Sequence, residues 1–147
     1  MLRIILVCVA IIAGGLTVYF LINKTPEEYA VETVNQFYRF EQDGDFSDSW
    51  EMFHPLMKEK FSKGHYLQDR AHVFMNHFGI TTFSYSLSEA VELKNWKLEK
   101  DAKPIDLVYK VTVSQVFKGK YGRFTLVQDV YTTLVDGEWK VLWDYNK

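Results

Sequence analysis

Cysteine is almost missing from this sequence: Cys8 is the single one in 147 residues. A chain with one thiol forms no internal disulfide and offers no cysteine metal cluster, so an oxidising compartment does it no harm. Proline is scarce too, and each of the three, Pro26, Pro55 and Pro104, falls where the pattern predicts an element boundary. A strong excess of charge is also lacking. The net charge is −2, and without Arg3 the remainder carries sixteen basic against nineteen acidic groups, so no basic surface is offered to nucleic acid. No phosphate-cradling glycine loop, nucleotide fingerprint or nucleophile motif occurs, and no cofactor is expected. Internal repeats and low-complexity segments are absent as well.

Charge is missing altogether from Ile4 to Ile22, with Arg3 before the run and Lys24 just after it. Nineteen residues at about 1.5 Å each span roughly 28 Å, close to the hydrocarbon thickness of a bilayer. The expectation is a transmembrane anchor over 1–23 and one domain over 24–147, with the N-terminus inside and the domain outside the cytoplasm. A cleaved signal peptide competes at Ala13, Gly14 and Gly15, but the apolar run continues past them through Leu16 to Ile22. Lipidation of Cys8 is disfavoured by bulky Val7 before it. The Asn23-Lys24-Thr25 triplet fits the glycosylation pattern but abuts the expected bilayer.

Beyond the run the aromatic content is high, eleven Phe, nine Tyr and four Trp in the whole chain, enough to fill one core. Thr25, Pro26 and Glu28 form a helix-start signature, a cap, a first-turn proline and a capping-box acid. The predicted helix runs to about Gln42, with Ala30, Val34 and Phe37 on one face until Glu41 interrupts it. A short helix over 46–53, a turn over 55–61 and a third helix over 64–78 follow, the last with Leu67, Ala71, Phe74 and Phe78 as its apolar face. From Ile80 the period changes to two. Four strands are expected, the first long and bulged near Asn95.

Asp136 and Gly137 make a two-residue hairpin turn, which fixes the last register. Leu134 then faces Trp139, Thr132 faces Val141 and Val130 faces Trp143 on the core side. The opposite side sets Tyr131 by Leu142 and Asp129 by Asp144, with Val127 near, and is more apolar than a solvated face requires. Three helices before a four-stranded antiparallel sheet describe an α+β fold in which a curved sheet wraps the first helix.

FYRFEQDGDF from Phe37, SWEMFHP from Ser49 and EWKVLWDYN from Glu138 resemble the nuclear transport factor 2-like superfamily. The likeness is greatest to the small N-terminal domain of class B penicillin-binding proteins of the methicillin-resistance type. Gly44-Asp45 at the helix end and the Trp139–Trp143 stretch carry it. Those larger proteins continue into a catalytic domain where this sequence ends at Lys147, so the resemblance implies a non-catalytic bacterial domain linked to the cell envelope or peptidoglycan machinery. Other members of the superfamily resemble ketosteroid isomerase or scytalone dehydratase, with an acid or base inside the cone.

Two functional expectations follow. The first is a membrane-anchored extracytoplasmic binding or scaffolding domain whose sheet face, Val127, Asp129, Tyr131, Leu142 and Asp144, meets a protein partner or a second copy. The alternative is a small-ligand pocket or an isomerase- or dehydratase-like enzyme inside the cone, with Glu41, Tyr109, Gln128 and Thr132 as its polar groups. On the core side of the last strands no Asp, Glu or His occurs, so a pocket base has to be Glu41 or His54. His65, Asp69 and His72 share a helical face at zinc-compatible spacing, but it is the face opposite the apolar one, and no metal is expected there. An Asp129–Asp144 pair costs a few tenths of a kcal/mol unless a cation or Lys140 relieves it.

Overall fold

The capping signature forms as the sequence requires. In the computed structural model, which describes residues 24–144, the Glu28 backbone N–H donates to Thr25 Oγ1 at 3.2 Å and the Thr25 N–H donates to the Glu28 carboxylate at 2.7 Å. These two bonds satisfy otherwise orphaned donors at the helix start. Helix α1 spans Pro26–Asp43 and stops at Gly44, which takes the left-handed φ of 82° that ends a helix cheaply only in glycine. Ala30, Val34, Phe37, Tyr38 and Glu41 form its buried face.

Helices α2 (Phe46–Glu51), α3 (Pro55–Lys60) and α4 (Lys63–Asp69) follow, and α4 runs on into a π-helical segment, Arg70–His77. The turn expected over 55–61 is a short helix, with Pro55 at a first-turn position and His54 as its cap. The segment between α2 and α3 closes the sheet edge. Val141 N–H donates to Met52 O and His54 N–H donates to Val141 O, each at 2.9 Å, so the outer strand presents fewer open backbone groups to another chain.

The sheet has five strands: β1 (Phe83–Leu87), β2 (Val91–Trp96), β3 (Ile105–Gly119), β4 (Gly122–Val135) and β5 (Glu138–Trp143). The order is β1-β3-β4-β5, with β2 on the same edge of β3 as β1. All neighbours are antiparallel. Leu134–Trp139, Thr132–Val141 and Val130–Trp143 pair as the turn arithmetic requires, and Asp136 and Gly137 both take positive φ.

The expected long first strand is two strands. Leu87 faces Val113 and Val91 faces Lys110, four steps on one side against three on the other, so one extra residue is accommodated at 88–90 rather than at Asn95. Ser88 makes this possible: its N–H donates to Thr112 O and its hydroxyl accepts from Thr112 N–H. Asn95 instead adopts a left-handed φ of 54° within an unbroken register. Just past it, Trp96 stacks on Tyr131 with ring centroids 4.4 Å apart.

The architecture therefore corrects the expected one in three respects. Among the described residues there are four helices and a five-stranded sheet, not three and four, and the sheet is neither closed nor strongly curved, so no cone wraps α1. Among the described residues no helix is long and apolar enough to cross a membrane. The run Ile4 to Ile22 lies outside the described residues, and the single-pass anchored topology, the membrane contact and the extracytoplasmic placement drawn from it are without structural support. Thirdly, the apolar excess behind β4 and β5 has an occupant within the chain. Tyr131 is 5% exposed and Leu142 0%. Trp96 lies on Tyr131, and Leu98 and Ala102 join Val108 and Leu142 in the core. The β2–β3 connection extends this cover to α3, where Lys60 pairs with Glu99 at 3.1 Å.

Trp96→Ala removes most of this cover and should lower stability by about 3 kcal/mol. Urea unfolding followed by circular dichroism measures it; a loss under about 0.5 kcal/mol, the size of a surface substitution, means that the strap does not hold the back face.

Candidate functional site

Glu41 was one candidate for the interior base, and its surroundings make it a structural group. It is buried near the end of α1, where Ser49 Oγ donates to its Oε1 at 2.5 Å and Tyr66 OH donates to the same oxygen at 2.6 Å. Arg70 completes the shell with an ion pair to Oε2. Burial first, and then the Glu41 charge, push the Tyr66 phenol far above its ordinary range, so it remains a donor. A carboxylate held by two hydroxyls and a guanidinium is poorly placed to accept a substrate proton. The cleft beside it, between Gly44, Phe46, Arg70 and Thr82, holds only about 80 Å³.

The other interior candidates separate along the sheet. Tyr109 and Thr132 face one another across β3 and β4. Gln128 pairs with Val113 further along and accepts from Tyr38 OH at 3.2 Å, which commits it to the core. Thr132 is fully buried, and its hydroxyl makes no hydrogen bond among the described residues.

Tyr109 is the candidate that reaches an open space. A cleft of about 450 Å³ lies at one end of the sheet, walled by Pro26, Ile105, Leu107, Tyr109, Leu134 and Trp139, with Asp106 and Thr133 at its margin. The alternation of β3 puts Ile105, Leu107 and Tyr109 on one face, and the hairpin register puts Leu134 beside Trp139 on the same face. Tyr29 stacks near Trp139, with centroids 6.3 Å apart, and fixes α1 against this end. Thr133 Oγ1 donates to Leu107 O at 2.7 Å and so holds the rim. Burial and the neighbouring Glu92 and Glu27 carboxylates raise the Tyr109 pKa, keeping the phenol protonated.

A wider opening of about 800 Å³ flanks the other side of α1, between Lys24, Glu27, Glu28, Val31, Glu32, Asn35 and the Leu87–Ala90 corner. Its charges are largely engaged: Lys24 pairs with Glu32 at 2.7 Å and Glu28 serves the helix cap.

The expected interaction face does not assemble. Tyr131 and Leu142 are covered, Val127 is 61% exposed, and Asp129 accepts from Thr112 Oγ1 at 2.6 Å and pairs with Lys110 at 3.4 Å. Asp144 lies just beyond the end of β5, where its charge, like that of Asp129, helps to raise the Tyr131 pKa after burial. The reading as an anchored scaffold that meets a partner through this face is thereby overturned: its anchor has no structural support and its central residues are already used.

Sequence reasoning missed Tyr66 and Arg70 as partners of Glu41, and Leu107, Leu134 and Trp139 as cleft walls. Tyr66 and Arg70 stand four apart, a spacing that places them on one helical face, and this was the available sign that Glu41 had a partner. Among the described residues no group of three or more His, Cys, Asp or Glu forms a candidate metal cluster, His65, Asp69 and His72 included. His54, the other candidate base, is a helix cap whose Nδ1 accepts from Leu56 N–H at 3.1 Å.

Glu41→Ala leaves Arg70 beside an apolar gap and should cost about 3–5 kcal/mol, whereas the joint change Glu41→Leu with Arg70→Met should cost far less. Denaturant midpoints of the three proteins test this, and equal losses in the single and double variants contradict a mutually dependent pair. Burial lowers the His54 pKa below its ordinary value of about 6.5. The unfolded chain therefore takes up that proton first, and stability should fall as pH drops through 6.5. His54→Asn keeps a cap without titrating; its urea midpoint should decline less between pH 7 and 5 than that of the natural chain, and parallel declines exclude His54 as the source.

Compared with known proteins, the chain matches no family model and is significantly similar to no curated protein, so its functional reading rests on the geometry of the cleft.

Proposed function

We propose that this domain binds a small, largely apolar molecule in the cleft beside Trp139. The observation that carries the reading is an opening of about 450 Å³ walled by aliphatic and aromatic side chains, in which Leu107 at 37% and Leu134 at 57% exposure stand next to buried Tyr109. Volumes of about 300–1,000 Å³ and apolar walls with few polar groups characterise small-molecule sites. Leaving two leucines open to water forfeits burial worth about 25 cal/mol per Å² of apolar surface, which a bound apolar ligand recovers.

Polar contacts in the cleft are sparse. Tyr109 offers a protonated phenol, Asp106 sits at the rim, and Thr132 lies one residue pair further in on the same face. The lining residues place no nucleophile against a base, so the proposed role is binding rather than turnover. The likeness to the nuclear transport factor 2-like superfamily belongs to the same proposal, since its enzymatic members work between the helices and the sheet.

N-Phenyl-1-naphthylamine, an uncharged apolar fluorophore of suitable size, tests the cleft in the full chain. Leu134→Glu puts a charge at the exposed mouth without disturbing the core and should weaken saturable binding by at least about tenfold, while Ala90→Glu at the opposite groove should leave it within about twofold. Equal binding by the natural chain and Leu134→Glu overturns the assignment.

A further inference from the structure

The geometry points to a divalent-metal site formed by His72 and His77 on the π-helical segment, of the kind that suits an ion of tetragonal preference such as Cu²⁺ or Ni²⁺. The two residues are five apart. In an α-helix that spacing turns side chains about 140° away from one another, but here the helix is wound wider: Phe78 N–H donates to Val73 O, five residues back, at 3.2 Å. The wider turn brings residues five apart onto one face. His72 Nε2 and His77 Nε2 consequently stand 2.9 Å apart on an exposed surface.

The separation that lets the two rings share a hydrogen bond in the free protein is also the one that two ligands of a single ion require. Imidazole nitrogens each about 2.05 Å from one ion and set at right angles lie about 2.9 Å apart, and their ring centroids about 4.5 Å apart. The observed centroid separation is 4.5 Å, with the rings at 82°. These separations match those of two imidazoles bound to one ion. The nitrogen separation also selects among ions, because a tetrahedral site at the same bond length needs nitrogens about 3.3 Å apart, whereas a square or octahedral one accepts 2.9 Å.

Among the described residues no third His, Cys, Asp or Glu joins the pair. The site is therefore a two-nitrogen chelate whose other positions are left to water or to a ligand from solution. It is distinct from the Trp139 cleft, which shares no residue with it.

Calorimetric titration of the full chain with Ni²⁺, together with electron paramagnetic resonance of the Cu²⁺-loaded protein, tests the site. One ion per chain and a spectrum showing two imidazole nitrogens are expected. His72→Gln and His77→Gln should each lower affinity by at least about tenfold, because removing one arm of a chelate forfeits its effective concentration. His65→Gln, on the preceding helix, should change it less than about twofold. The two rings are exposed, so circular dichroism should show all three variants folded. Unchanged Ni²⁺ affinity in either pair variant, a single-nitrogen signature, or an equal loss in His65→Gln overturns the assignment.

Discussion

Burial of the Glu41 charge constrains the whole helical layer. A carboxylate removed from water costs several kcal/mol unless opposite charge and hydrogen bonds surround it. Ser49 of α2, Tyr66 of α4 and Arg70 at the start of the π segment supply these, so one oxygen pair on α1 sets the positions of three later elements. The aromatic cluster beside it then packs around a fixed frame. Phe53 meets Phe37, Tyr66 and Trp143 at 4.9 to 5.2 Å, two of the three contacts edge-on. Such packing supplies much of the stabilisation, while the polar contacts decide which helix sits where.

That arrangement is lopsided along α1. At its C-terminal end, Tyr38 touches Gln128 and Gln42 donates to Phe83 O, while α2, α4 and the π segment close around Glu41. At its N-terminal end only the first turns, through Pro26 and Tyr29, lie against β3, β4 and β5. The sheet extends past its helical cover there. Leu107, Leu134 and Trp139 are what remains uncovered, and the cleft is the geometric result of a long sheet meeting helices gathered at its other end.

Much of the local structure was legible because short-range rules fixed it. The capping box, the proline position and the Gly44 stop marked α1 to within a residue, and the Asp136-Gly137 turn fixed three core pairs of the β4–β5 hairpin. Features set by contacts distant in the chain were not legible. Glu41 was visible as an anomaly on an apolar face, but its partners stand 8 to 29 positions further on, and nothing local distinguishes a satisfied carboxylate from a pocket base. The π winding of Arg70–His77 escaped for a related reason: an apolar pattern over 64–78 fits an α-helix, and the pairing of His72 with His77 exists only once the wider turn is formed.

The back face shows why apolar excess is an ambiguous sign. Tyr131 and Leu142 are too apolar for a solvated surface, and an external partner is one solution to that mismatch. Another is a segment of the same chain. The alternation that places Leu87 toward the core reverses across the extra residue at 88–90, so Leu93 lies on the back face by its pairing with Val108, and the turn at Asn95 brings Trp96 onto Tyr131. An intramolecular cover costs less entropy to bring into place than a second molecule, because its ends are already tethered to β2 and β3. Where a strand carries an unpaired residue followed by a large aromatic, the face opposite the core is therefore first to be matched with the chain's own connection. That cover does not reach Leu107 and Leu134 on the other face, which stay open to water beside Trp139.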